Sequence, residues 1–132
     1  MEKFREDMKF GTEKEINQFD LIKSVLDANL KPSKNKNATF DYCSDNTLAE
    51  LKSRRNNHNT YPTTMVGYNK IEYALKHPEK QAYFCFCFLD GLYYYKFSKD
   101  DKLEVRLGGR RDRGREEIKE YCYIPIELLR KI

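Results

Sequence analysis

The sequence has little cysteine: Cys43, Cys85, Cys87 and Cys122 are the four in 132 residues. It lacks any stretch approaching the ~20 apolar residues of a membrane span. The N-terminal MEKFREDMKF is charged throughout, so no signal peptide is read there. Free thiols in a reducing compartment follow as the expectation, with the chain inside the cell (cytoplasm or host nucleus) and not secreted. No segment repeats at a fixed period. There is no glycine-rich phosphate loop and no nucleophile elbow, which sets aside nucleotide-cradling and serine-hydrolase chemistry. Cys85 and Cys87 flank a single residue, closer than zinc-ligand spacing, so they read as core. His58 and His77 form no ligand cluster.

What is present suits one folded domain. Hydrophobic residues make up 39% and aromatics 14%, too many for a disordered chain. The length leaves no room for two full domains, so residues 1–132 are expected to form one unit. The net charge of +4 says little until it is located along the chain.

Periodicity predicts a helix from Thr12 to about Asn29, with Ile16, Phe19, Ile22 and Leu26 as its apolar stripe and Val25 widening it. Thr12 and Glu15 have the spacing of a capping box. A polar loop, Lys31 to Asn37, follows. Thr39 to Cys43 and Leu48 to Arg54 read as strands of a hairpin around the turn formers Ser44 to Thr47. A second helix is expected from about Thr64 to His77, with Met65, Tyr68, Ile71 and Leu75 inward and Pro78 stopping it. Ala82 to Leu89 is apolar at every position, as a central strand covered on both faces should be. Asp90-Gly91 turns it into a returning strand, Leu92 to Phe97. Lys102 to Leu107 reads as an outer strand and Gly108 to Glu117 as a charged loop. Tyr121 to Ile126 reads as extended and Leu128 to Ile132 as a last helical turn. The class is α/β or α+β, a central sheet layered with helices.

The first hairpin carries the chemistry. With Ser44 to Thr47 as its loop, Cys43 faces Leu48, Tyr42 faces Ala49 and Asp41 faces Glu50. Opposed side chains lie about 5 Å apart on one sheet face. Lys52, two residues beyond Glu50, projects from that face as well. Two opposed carboxylates repel, and a hard divalent cation would offset the repulsion. The backbone carbonyl of Leu51 could add a ligand. An acidic pair, a lysine and a cation describe metal-assisted hydrolysis of a phosphodiester. The bland alternative is an exposed strand on which Glu-x-Lys faces an aspartate by chance.

These residues, Asp41 in TFDYC and Glu50-Leu51-Lys52 in LAELKSRR, resemble the signature of the PD-(D/E)xK nuclease superfamily. The superfamily includes restriction endonucleases, junction resolvases and related phage and viral nucleases. The order of elements is similar over about Gly11 to Phe97, with 98–132 as a C-terminal extension. The resemblance implies a restriction-endonuclease-like α/β fold, a mixed central sheet flanked by helices. It implies that Asp41 and Glu50 hold Mg²⁺ or Mn²⁺ and that Lys52 assists the attacking water. It also implies a first-helix glutamate at the metal; Glu15 is the candidate, with the capping box as its other role. Two features depart from the pattern. Phe40 stands where a proline would precede the aspartate, and the Gln-x-x-x-Tyr helix motif of one branch is absent, with Lys70 and Ala74 at those places.

From Leu51 to Ile71 there is no Asp or Glu, while Lys52, Arg54, Arg55 and Lys70 are positive and His58 can join them at lower pH. This run contains as much positive charge as the whole chain's net value. Beside a carboxylate site it suits the backbone of DNA, whose binding is largely electrostatic. Arg54, Arg55, Lys70 and His58 are therefore nucleic-acid candidates, against the alternative of a solvated charged loop or helix face. A second cluster, Arg110, Arg111, Arg113 and Arg115, is diluted by Asp112, Glu116 and Glu117, which favours a solvated loop. The expected function is a Mg²⁺-dependent deoxyribonuclease with no membrane partner. The resemblance adds a homodimer as an expectation. The alternative is a nuclease-fold protein that binds nucleic acid or assembles with partners without catalysis.

Overall fold

The computed structural model describes residues 18–34, 39–108 and 119–132. The first helix, α1, is helical over 18–25 within this range. Its last helical bond joins the Leu26 N–H to the Ile22 carbonyl at 2.8 Å. The chain then turns earlier than expected: Asp27 Oδ1 accepts from the Asn29 N–H, and the Asp27 carbonyl from the Leu30 N–H. Ile22 is fully buried, but Val25 is 48% exposed, so the apolar stripe is narrower than its sequence suggests. Thr12 and Glu15 lie outside the described residues.

The strands are β1 (Lys31–Pro32), β2 (Tyr42–Cys43), β3 (Thr47–Ser53), β4 (Thr63–Gly67), β5 (Gln81–Phe88), β6 (Gly91–Lys96), β7 (Glu104–Gly108), β8 (Lys119–Pro125) and β9 (Arg130–Lys131). Helix α2 runs over Tyr68–Lys76. Six strands form one sheet in the order β1-β2-β3-β5-β6-β9, and β4-β8-β7 form a second. The larger sheet is mixed: β3 and β5 are parallel, and the other pairs are antiparallel. This is the α/β, mixed-sheet architecture expected of a restriction-endonuclease-like domain.

β5 is the axis of the molecule. Every residue from Ala82 to Phe88 is buried, which explains its unbroken apolar run. Its side chains alternate between two cores. Ile22, Leu30, Ala49, Cys85, Cys87 and Leu92 pack on the α1 face. Phe84, Phe86 and Phe88 join Phe40, Leu48, Val66, Ile71, Ala74, Cys122 and Ile124 on the other face, under α2 and the smaller sheet. Asp90-Gly91 makes the β5–β6 turn, and Gly91 has φ 147°, a backbone region that side chains disfavour.

Several expected elements differ. Thr64 does not begin a helix; Thr63–Gly67 is strand β4, paired with β8 through Val66↔Cys122 and Thr64↔Ile124. Thr64 and Val66 point inward and Met65 outward, and pairing with a distant strand decides this short ambiguous run. Helix α2 consequently buries Ile71 and Ala74 while Leu75 is 47% exposed. Only Tyr42–Cys43 of the segment from Thr39 is strand, because the chain bends over 39–41. Lys31–Pro32, expected in a loop, pairs with it. β7 extends the smaller sheet beside β8 rather than the β5–β6 hairpin. Leu128–Ile132 is no helical turn: a 3-10 turn covers Ile126–Leu128, and Arg130–Lys131 pairs with β6. Gly108 closes β7, and the rest of the charged loop after it lies outside the described residues.

Candidate active site

The hairpin register is the expected one, with Tyr42 opposite Ala49 and Cys43 opposite Leu48. Ser44 sets the turn. Its N–H donates to the Thr47 carbonyl at 2.9 Å, and its hydroxyl accepts from the Asn46 and Thr47 N–H groups. The same hydroxyl donates to Asp27 Oδ2 at 2.6 Å, tying the turn to the end of α1.

One residue before the pair, the backbone bends, and strand alternation breaks. Phe40 enters the core under α2, 5.6 Å from the Phe84 ring and 5.8 Å from Tyr73. Asp41 is thereby left exposed beside β3, where its Oδ2 accepts the Leu51 N–H at 3.0 Å. Glu50 is its opposite in environment. It is buried, in register with Phe84 of β5, and its carboxyl adjoins that of Asp41 closely enough to shift its proton affinity. An exposed and a buried carboxylate thus meet at the sheet surface.

Their proton affinities diverge for that reason. Burial pushes the Glu50 carboxyl up to about 7, and the adjoining Asp41 adds to the shift, while the Lys70 ammonium opposes it. Partial burial would raise Asp41 too, but the hydrogen bonds from Glu50 and the Leu51 N–H, with the charges of Lys52 and Lys70, hold it below the ordinary carboxylate value. Of the two, Glu50 is therefore the group that keeps its proton toward neutral pH, and Asp41 the one that is ionised.

Lys70, the third residue of α2, reaches this pair. Its Nζ lies 2.8 Å from Glu50 Oε2, with side chains 19% and 3% exposed. This ion pair is what opposes the upward shift of Glu50. The ammonium also donates to the Thr39 carbonyl and lies 5.9 Å from the Phe40 ring centroid. Sequence alone offered Lys70 as a phosphate contact or a solvated lysine; its ion pair with Glu50 depends on how α2 packs. Lys52 is half-buried on β3, in register with Phe86, and acts on Asp41 through its charge.

The other basic candidates lie farther along β3 and its loop. Arg54 Nη2 donates to the Met65 carbonyl at 2.7 Å, and its guanidinium lies 5.7 Å from the Phe86 ring centroid. It thus braces the end of β3 against β4. Arg55 is exposed. His58 stacks on Tyr93, with centroids 4.6 Å apart, and its Nδ1 pairs with Asp90. These contacts hold His58 at the β5–β6 turn. A groove of about 950 Å³ between the β2–β3 turn and the 31–34 segment is lined by Thr39 and Phe40 but by neither carboxylate.

Residues 11–132 match the family model described as "Phage putative PDDEXK endonuclease". The chain belongs to this family. The match reaches the last residue and so takes in β7, β8 and β9 as well as the hairpin. No curated protein and no solved structure gives a significant match. PD-(D/E)xK nucleases generally use divalent metals, and the donors of this family member can be tested against that use. Among the described residues no three His, Cys, Asp or Glu side chains converge on one point. The Asp41–Glu50 pair nonetheless fits a hard cation: two adjoining carboxyl groups, one with a buried oxygen that has no hydrogen-bond partner and faces a cation already, the Lys70 ammonium. Cys85 and Cys122 offer nothing comparable, since burial pushes their thiols up to about 12 and about 11. Among the described residues no helix is long and apolar enough to cross a membrane.

Proposed function

We propose that this family member is a Mg²⁺- or Mn²⁺-dependent nuclease that hydrolyses DNA phosphodiester bonds. The observation that carries the reading is the buried Glu50 carboxyl held against exposed Asp41, with Lys52 on the same strand and its charge felt at the pair. Asp41 and Glu50 would hold the cation. In an extended strand the N–H and C=O of one residue leave on the same side. The Leu51 N–H points to Asp41, so the Leu51 carbonyl leaves toward the pair and would add a third oxygen. Glu15 is a further candidate ligand, outside the described residues.

When bound, the cation supplies Lewis-acid stabilisation of the charge that builds on the phosphate. The remaining roles belong to the chain. Asp41 opens the site to solvent, where a phosphate can approach. Lys52 orients the attacking water or stabilises the developing charge. The aromatic surroundings of Glu50 keep bulk water from one side of the pair. Arg55 is the basic side chain best suited to meet the DNA backbone, since Arg54, His58 and Lys70 have internal partners.

Purified protein with Mg²⁺ or Mn²⁺ should cut DNA, and Lys52→Ala should slow cutting by about 10²–10⁴-fold while the melting curve stays that of a folded protein. Equal cutting by the variant overturns the assignment. A second reading, nucleic-acid binding without cleavage, draws on the Lys70 ammonium that already neutralises Glu50. It requires a salt-dependent mobility shift in EDTA and no cleavage when metal is restored.

A further inference from the structure

We propose that Lys70 is the resident counter-cation of the Asp41–Glu50 pair, exchanged for the divalent ion when the site loads. The inference rests on the metal-dependent reading above and adds a competitor within the chain. A carboxylate as buried as Glu50 is costly unless a positive charge stands beside it. Lys70 supplies that charge at 2.8 Å from Oε2. A cation ligated by Oε2 would need the space and the electron pair that the ammonium faces, and two positive charges so close repel. Both cannot be held by the same oxygen.

The geometry gives Lys70 other contacts to keep when the divalent ion takes over its charge at Glu50. The ammonium has three N–H donors. One already serves the Thr39 carbonyl, and the Phe40 ring is within cation–π range at 5.9 Å. Neither hold depends on Glu50. Toward Oε2 the hold is the ion pair itself. Lys70 can thus give up Glu50 and keep its place on the 39–40 bend, next to Asp41, where a phosphate would arrive. The carboxylate pair is held together in the metal-free protein and loads only by displacing an internal cation.

The test is calorimetric titration of Mn²⁺ into wild type, Lys70→Gln, Lys52→Gln and Glu50→Gln, with thermal melts in EDTA. Lys70→Gln should bind Mn²⁺ about tenfold more tightly than wild type, equivalent to about 1.4 kcal/mol. It should melt lower than wild type in EDTA and be raised further by Mn²⁺. The gain must exceed that of Lys52→Gln, which removes one charge from the same strand without touching Glu50. Lys70→Met keeps the aliphatic stem over Phe40 and carries the same expectation if the glutamine variant does not fold. Unchanged or weaker binding in the Lys70 variants, with wild-type binding that Glu50→Gln abolishes, overturns the exchange and leaves the nuclease reading standing. Absence of Mn²⁺ binding in wild type and Lys70 variants alike overturns both.

Discussion

The two faces of the six-stranded sheet are built from the same strands and differ in kind. Toward α1, β3 contributes Ala49 and Leu51, β5 contributes Cys85 and Cys87, and the packing is apolar. A notable polar group there is the Gln18 amide, which donates to the Cys87 sulfur. Toward α2, the same β3 contributes Leu48 and then Glu50 and Lys52 among phenylalanines. A strand's two-residue period lets one segment serve both roles. The contrast teaches where charge was tolerated. Burying a carboxylate costs several kcal/mol unless it is compensated, and the α2 face supplies the compensation with Lys70, against an Asp41 that adds to the cost.

The strongest way to break this comparison is to strike each face in turn. On the charged face, Lys52→Ala should cut the rate of DNA cleavage by about 10²–10⁴-fold, read in a Mg²⁺ assay, with little change in melting temperature. On the apolar face, Ile22→Ala should do the reverse. It should cost about 2–5 kcal/mol of stability, read by urea unfolding, while cleavage per folded molecule is unchanged. If Ile22→Ala removed activity from protein that is still folded, the division of labour between the faces would fail.

The pH response sharpens the same contrast. Burial pushes the folded Glu50 carboxyl up to about 7, above its ordinary value of 4.5. Between those values the folded protein holds a proton that the unfolded chain releases. This contribution to stability is fully present below the unfolded value and is lost as pH rises through the folded one. Metal-free melting temperature should therefore fall from about pH 5 to about pH 7.5, and Glu50→Gln should flatten that slope. Mg²⁺ affinity should rise over the same interval because ligation displaces the proton. The smallest effect is expected at the rim: Arg55→Ala should weaken DNA binding uniformly across sequences and reduce the salt slope by about 1, measured in EDTA.

Much of the site was legible from local chemistry. Turn formers at Ser44–Thr47 pointed to a hairpin register that a one-residue slip would have undone, and the observed pairing matches it. The continuous apolar run of β5 announced a central strand. Thr64-Met65-Val66 was not legible, because three residues cannot distinguish a helical from an extended period and β8, more than 50 residues later, settles it. The 39–41 bend was equally hidden: nothing local turns Phe40 inward until α2 and Phe84 offer it a place.

By itself the sequence determined the family, the order of most elements and the placement of Asp41, Glu50 and Lys52 on one hairpin, since these follow from turn chemistry and the two-residue strand period. Only the tertiary structure decided that Glu50 is buried while Asp41 is open and that Arg54 and His58 have internal partners. It also decided that Lys70 answers Glu50. Burial and Coulomb pairing depend on distances between segments far apart in the chain, and those distances exist only once α2 has docked on the sheet.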